Sequence, residues 1–213
     1  MSTSEAENLR MQGNTAIQKG DASTAATLYT EALQLEPDNH LLLSNRSLAL
    51  LRLGKDEEAC ADARRCVCVC PEWPKGHSRL GAALYSLGKH AEAVKAYEAA
   101  LALSPDDTGV KAALEDAKQA AARSSIEAQL RPAVLDFAAR KQAASALLSA
   151  GKFAEAAKEY EGALRAMDEL LGKLPERDAN PMRDAIGKLR EQMYKELVAA
   201  KSRKGTQTDT SKA

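Results

Sequence analysis

Apolar residues recur along this chain at helical spacing, and glycines and prolines punctuate them at a fixed interval. Between Trp73 and Gly88, residues Leu80, Gly81, Leu84 and Leu87 make an apolar, partly small stripe. Lys75 and Arg79, four apart, project together from one face of the same helix. Pro74 suits the first turn of that helix, where its missing N–H costs nothing. The layout repeats: Gly20, Gly54 and Gly88 are 34 residues apart, as are Pro37, Pro71 and Pro105. Ala25, Ala59 and Ala93 keep the same register, as do Ala32, Cys66 and Ala100; Tyr29 and Tyr97 align, with Ala63 between them. A glycine in mid-repeat marks a turn between two helices, and the proline marks the end of the second. The pattern predicts three helix hairpins, 5–19 with 22–36, 40–53 with 56–70, and 74–87 with 90–104.

This spacing resembles the tetratricopeptide period, which implies an all-α fold: a right-handed superhelix of stacked helix hairpins. A single hairpin cannot bury its apolar face, whereas stacked hairpins share a continuous core. Val110, Leu114, Ala117 and Ala121 then predict a capping helix over 106–123, with Asp106 and Asp107 in its first turn. Ser124–Pro132 reads as a break, its short helical piece ended by Arg131-Pro132. Gly151, Ala156, Tyr160 and Ala163 fit a fourth, degenerate repeat that starts 63 residues after the third. Its second helix is expected to run to about Leu174. Asn180-Pro181 reads as the start of a last helix with the stripe Met182, Ile186, Leu189, Met193 and Leu197. The expected organisation is a three-repeat domain over 1–123, a helical region over 124–201 and a disordered tail over 202–213.

Composition narrows the function. Lys plus Arg and Asp plus Glu number 30 each, so no global field draws the chain to nucleic acid or to an acidic membrane. Residues 1–124 carry 14 basic and 17 acidic groups, and the rest 16 and 13, so any anion site must be a local cluster. Groove aromatics are too scarce for a nucleic-acid binder. The opening MSTSEAENLR has no apolar core of a leader, and no stretch approaches transmembrane length. Cys60, Cys66, Cys68 and Cys70 crowd one helix, a poor disulfide framework that points to reduced thiols and a cytoplasmic setting. Cys66 and Cys70 share a face, but without a second pair or a histidine at finger spacing they read as thiols, not as metal ligands. No metal or cofactor is expected. A glycine-rich phosphate loop, an HExxH motif and a paired nucleophile and base are all lacking in the sequence, so an enzyme is not expected. His77 falls where such repeats place a packing residue, and reads as core or groove wall.

The first helices of the hairpins should line a concave groove. One face of each supplies Glu7, Arg10, Asn14 and Ile17, then Asn45, Leu48, Leu51 and Arg52, then Lys75, Arg79 and Tyr85. Asn45 and Arg79 are themselves 34 apart, so they hold the same place in adjacent repeats. An Asn inside a helix has poor propensity and needs a reason. The segments QGNTAIQKGD, LLLSNRSLAL and PEWPKGHSRLGAAL resemble the first tetratricopeptide domain of the Hop/stress-inducible co-chaperone family. That family binds the C-terminal Glu-Glu-Val-Asp tail of heat shock proteins 70 and 90 through a clamp for two carboxylates. The resemblance implies a clamp of Arg10, Asn14, Asn45, Lys75 and Arg79, with Arg10 standing where the family usually has Lys. It extends over residues 5 to about 120. Ile17, Leu48 and Leu51 would make apolar pockets for the tail's Val and neighbouring side chains. The fourth repeat has Ala138, Lys141, Gln142 and Ser145 at the matching places, and so lacks a clamp.

Read this way, the chain is a non-enzymatic co-chaperone or adaptor, its second half free to engage another protein. The alternative is a structural or self-association scaffold whose groove is filled by its own C-terminal helix.

Overall fold

A computed structural model describes residues 2–173 and 181–209; side chains are described from residue 4 to residue 202, without those of residues 173–182 and 185. The described residues form nine helices: α1 (Ser2–Gln18), α2 (Ala22–Leu35), α3 (His40–Arg52), α4 (Asp56–Val69), α5 (Pro74–Ser86), α6 (His90–Leu103), α7 (Thr108–Ser149), α8 (Phe153–Lys173) and α9 (Pro181–Asp209). The chain divides into two compact units, Met1–Ser124 and Ser125–Ala213.

In the first unit α1–α2, α3–α4 and α5–α6 are antiparallel hairpins that stack on one another. The period read in the sequence is written into the backbone. Gly20, Gly54 and Gly88 have φ of 82°, 70° and 72°, the left-handed conformation that lets a helix end and turn back. The residues before Pro37, Pro71 and Pro105 (Glu36, Cys70 and Ser104) share φ of −130° to −141° and ψ of 78° to 82°. The pyrrolidine ring that follows excludes helical dihedrals there, so the second helix of each hairpin stops two residues short of its proline. Asp21 accepts from the Thr24 N–H, and Asn39 from those of Leu41 and Leu42, capping α2 and α3. Pro74 stands in the first turn of α5.

The hairpins close through a small residue facing a large one. A Cβ on Gly13 would sit 2.5 Å from the Tyr29 ring, and one on Gly81 would sit 2.6 Å from that of Tyr97. In the middle hairpin Ala63 replaces the tyrosine, Ser47 stands at the glycine position, and its Oγ donates to the Ala59 carbonyl at 2.9 Å. Arg46 of α3 forks onto Asp62 of α4, with Nε–Oδ2 at 2.6 Å and Nη2–Oδ1 at 2.7 Å. Val110, Leu114 and Ala117 of α7 enter the core made by α5 and α6, as the capping reading expects.

In the second unit Gly151 repeats the same turn at φ 72°. Tyr160, Ala163 and Met167 of α8 bury against Met193, Leu197 and Ala200 of α9. The apolar stripe of α9 is thus consumed by its own unit and is not left free to fill a groove. Met182 and Asn180, also expected at this helix start, lie outside the described side chains.

Two expectations are corrected. No break interrupts residues 124–132, because α7 runs through Pro132. Proline removes one donor and disturbs one carbonyl, but its neighbours are strong helix formers. Leu130 is also anchored against Leu170, with Ile126 and Ala133 packed on that pair. The tail expected to be disordered from residue 202 is helical to Asp209. Extending an existing helix by a residue avoids the cost of nucleation.

Candidate functional site

The successive first helices α1, α3 and α5 bring their polar faces to one cavity of about 340 Å³. α1 contributes Arg10, Asn14, Ile17 and Gln18; α3 contributes Leu41, Asn45 and Leu48; α5 contributes Lys75 and Arg79. Tyr29 and Trp73 complete the wall. The spacing explains the convergence, since residues three, four and seven apart on a helix share a face.

All five residues of the expected clamp line this cavity, and so do Ile17 and Leu48. Leu51 does not. It packs against the core of the second and third hairpins, beside Leu50, Leu84 and Ala83. Each three-residue step falls about 60° short of a full turn, so Leu51, two such steps beyond Asn45, stands about 120° round the helix from it and has left the lining face for the core.

Hydrogen bonding orients the cradle. Asn14 Oδ1 accepts from Tyr29 Oη at 2.8 Å and from Asn45 Nδ2 at 3.1 Å. Both lone pairs of that carbonyl are then used, leaving the Asn14 amide N–H groups for another acceptor. Burial raises the Tyr29 hydroxyl above its usual range, so it stays a donor near neutrality.

The electrostatics are one-sided. No lining residue is acidic. Lys75 is exposed; Arg79 is half-buried and its Nε, shielded from solvent, has no hydrogen-bond partner. Burial first, and the positive charge of Arg52 second, hold Arg79 below the usual guanidinium range, although it stays charged. Arg52 itself donates from Nη1 to the Ile17 carbonyl at 3.0 Å. Among the described residues neither Lys75 nor Arg79 is paired with a carboxylate, whereas Arg10 is, through Glu7 on its own helix. A buried, unsatisfied cationic donor beside free amide N–H groups asks for an anionic acceptor.

Several contributors were not singled out from sequence. Tyr29 reads as a repeat-frame residue, and only the hairpin geometry reveals its hydroxyl reaching Asn14. Trp73 precedes the helix that presents the cations; its ring meets His40 edge-on at 4.9 Å and lines the wall. His77 does not line the cavity, and its Nε2 lies 2.7 Å from the Pro71 carbonyl oxygen. The four cysteines are free thiols, and among the described residues no group of three or more His, Cys, Asp or Glu is placed to hold a metal ion.

Residues 10–77 and 74–107 match the tetratricopeptide repeat. The chain is 47% identical over 117 residues to the Hsp70-Hsp90 organizing protein of Triticum aestivum, covering 55% of this chain and 20% of that protein. It is 41% identical over 116 residues to Protein STIP1 homolog of Dictyostelium discoideum, covering 54% of this chain and 21% of that one. The aligned stretch thus spans about a fifth of the length of these curated relatives. A solved structure, the first TPR of Spaghetti (RPAP3) bound to HSP90 peptide SRMEEVD, superposes with a TM-score of 0.54 at 34% identity. That match covers 56% of this chain and 97% of the solved one.

Proposed function

Because the chain belongs to the tetratricopeptide repeat family, we propose that its cavity grips the free C-terminus of an acidic chaperone tail, Glu-Glu-Val-Asp, from heat shock protein 70 or 90. The observation that carries this reading is the cationic, donor-rich lining: Arg10, Asn14, Asn45, Lys75 and Arg79 around one space without an acidic side chain. A C-terminal Asp offers two carboxylates on one residue, its side chain and its chain end. Lys75 and Arg79 supply charge to them, and Arg79 gains the acceptor its buried Nε lacks. The amide N–H groups of Asn14 and Asn45 fix direction. Ile17 and Leu48 offer apolar surface to the Val side chain.

Charge-assisted hydrogen bonds contribute roughly 1.5–3 kcal/mol each. After the cost of ordering a flexible peptide, several together support roughly micromolar affinity, about −8 kcal/mol. The chain then acts as a non-enzymatic cytoplasmic adaptor, its second unit available to another protein. The relatives' printed names and the peptide-bound neighbour support the reading.

The test is titration of the full chain with a labelled peptide ending in Glu-Glu-Val-Asp, beside the same peptide amidated at its C-terminus. Micromolar binding lost on amidation and on Lys75→Ala or Arg79→Ala supports the clamp. Equal binding of both peptides sinks it.

A further inference from the structure

Of the three cations lining the cavity, one is already answered from within the chain. Glu7 lies one turn before Arg10 on α1 and takes one whole edge of its guanidinium: Nε donates to Oε2 at 2.7 Å and Nη2 to Oε1 at 2.5 Å. Lys75 and Arg79 have no such carboxylate among the described residues, and Glu7 does not itself line the cavity. It stands outside the lining, half-exposed, with its charge against the one lining cation that α1 provides.

We infer that Glu7 is a built-in counter-ion that competes with an incoming carboxylate for Arg10, so that the cradle meets acidic tails with part of its charge withheld. The inference rests on the clamp reading above. A guanidinium has two edges that can fork onto carboxylates, whereas an ammonium is a single point charge. An arginine at position 10 can therefore hold Glu7 on one edge and still offer Nη1 to a ligand. The ligand then meets a half-neutralised cation and, close behind it, a like charge. The hydrogen bond from Arg10 holds the Glu7 carboxyl below the usual carboxylate range, so it is an anion at neutral pH. The grip consequently shifts toward Lys75 and Arg79. Glu7 also repels any acidic side chain of the tail that approaches Arg10.

Titration of the full chain with the labelled Glu-Glu-Val-Asp peptide tests this by comparing wild type, Glu7→Gln, Arg10→Met and the double variant. Glu7 is exposed, so its amide should leave the fold unchanged by circular dichroism. We expect Glu7→Gln to tighten binding by about three- to ten-fold at low salt, with the gain shrinking as salt rises and vanishing in the Arg10→Met background. Unchanged or weaker binding by Glu7→Gln, while wild type binds and Lys75→Ala does not, overturns the inference and leaves the clamp standing. No binding by any of the proteins overturns the clamp and this inference together.

Discussion

Tyr29 Oη lies 2.8 Å from Asn14 Oδ1, so a side chain of the second helix in the first hairpin sets the orientation of a cavity-lining amide on the first. Without it, Asn14 would keep only the donor from Asn45 to fix which end of its amide faces the cavity. Tyr29→Phe retains the ring that Gly13 accommodates and deletes this donor alone. The expected outcome is an intact fold and a loss of acidic-peptide affinity of a few-fold, about 0.5–1.5 kcal/mol. Calorimetric titration beside a thermal melt separates the two; a large fall in melting temperature with unchanged affinity would contradict the positioning role.

Gly13 has no space for a side chain. Its added Cβ would stand 2.5 Å from Tyr29 Cε1, against a ring buried in the core that the first two hairpins share. Gly13→Ala should destabilise the chain by about 1–3 kcal/mol through overpacking. In a Tyr29→Ala background the same change should cost far less, the combination that Ser47 and Ala63 already approach in the second repeat. Denaturant unfolding of the four proteins gives the coupling energy directly.

Arg46 and Asp62 are mostly shielded, at 23% and 9% side-chain exposure, and share two hydrogen bonds. Removing Asp62 strands a guanidinium between α3 and α4. Asp62→Ala is expected to cost about 2–3 kcal/mol, between the values for exposed and fully buried pairs. Arg46→Met combined with Asp62→Leu should recover most of it. A double variant less stable than either single one would show that the pair is worth more than its desolvation.

The cysteines should separate by reactivity. Burial, with the nearby Cys70 and Asp62 adding to it, pushes the Cys66 thiol up to about 11, and its Sγ donates to the His40 carbonyl at 3.3 Å. Cys68 is exposed. Alkylation of the folded chain near pH 8, read by peptide mass spectrometry, should modify Cys68 first, and Cys60 and Cys66 only once the chain unfolds. The linkage has a definite sign. Cys66 is raised above its ordinary 9.0, so its contribution to stability is complete below about 9 and is lost as pH rises through about 11.

The hairpins were legible because their punctuation is local. A glycine that must adopt positive φ and a proline that excludes helix before it act within two or three residues, and both recur every 34 positions. The cradle was legible for a related reason: Lys75 with Arg79, and Arg10 with Asn14, share helix faces by spacing alone. Leu51 follows Leu48 by three and so reads as the same helix face, but the drift of about 60° at each such step has by then carried it round into the core. Pro132 reads as a stop in the sequence, and only its surroundings, Leu130 held on Leu170, show how little one missing donor costs a helix packed on either side of it. The claim of Glu7 on Arg10 was invisible for a different reason. Spacing by three permits an ion pair, but the choice of edge on the guanidinium is made by rotamers.

The chain has one tryptophan, and it stands on the cavity wall. An indole there, edge-on to His40, changes its surroundings whenever something fills the space beside it. With no second indole to dilute the signal, emission excited selectively at Trp73 reports on this cradle without interference from an indole elsewhere. The chain is its own dye. Every affinity above can be measured on unlabelled protein with unlabelled peptide, provided the peptide has no tryptophan of its own.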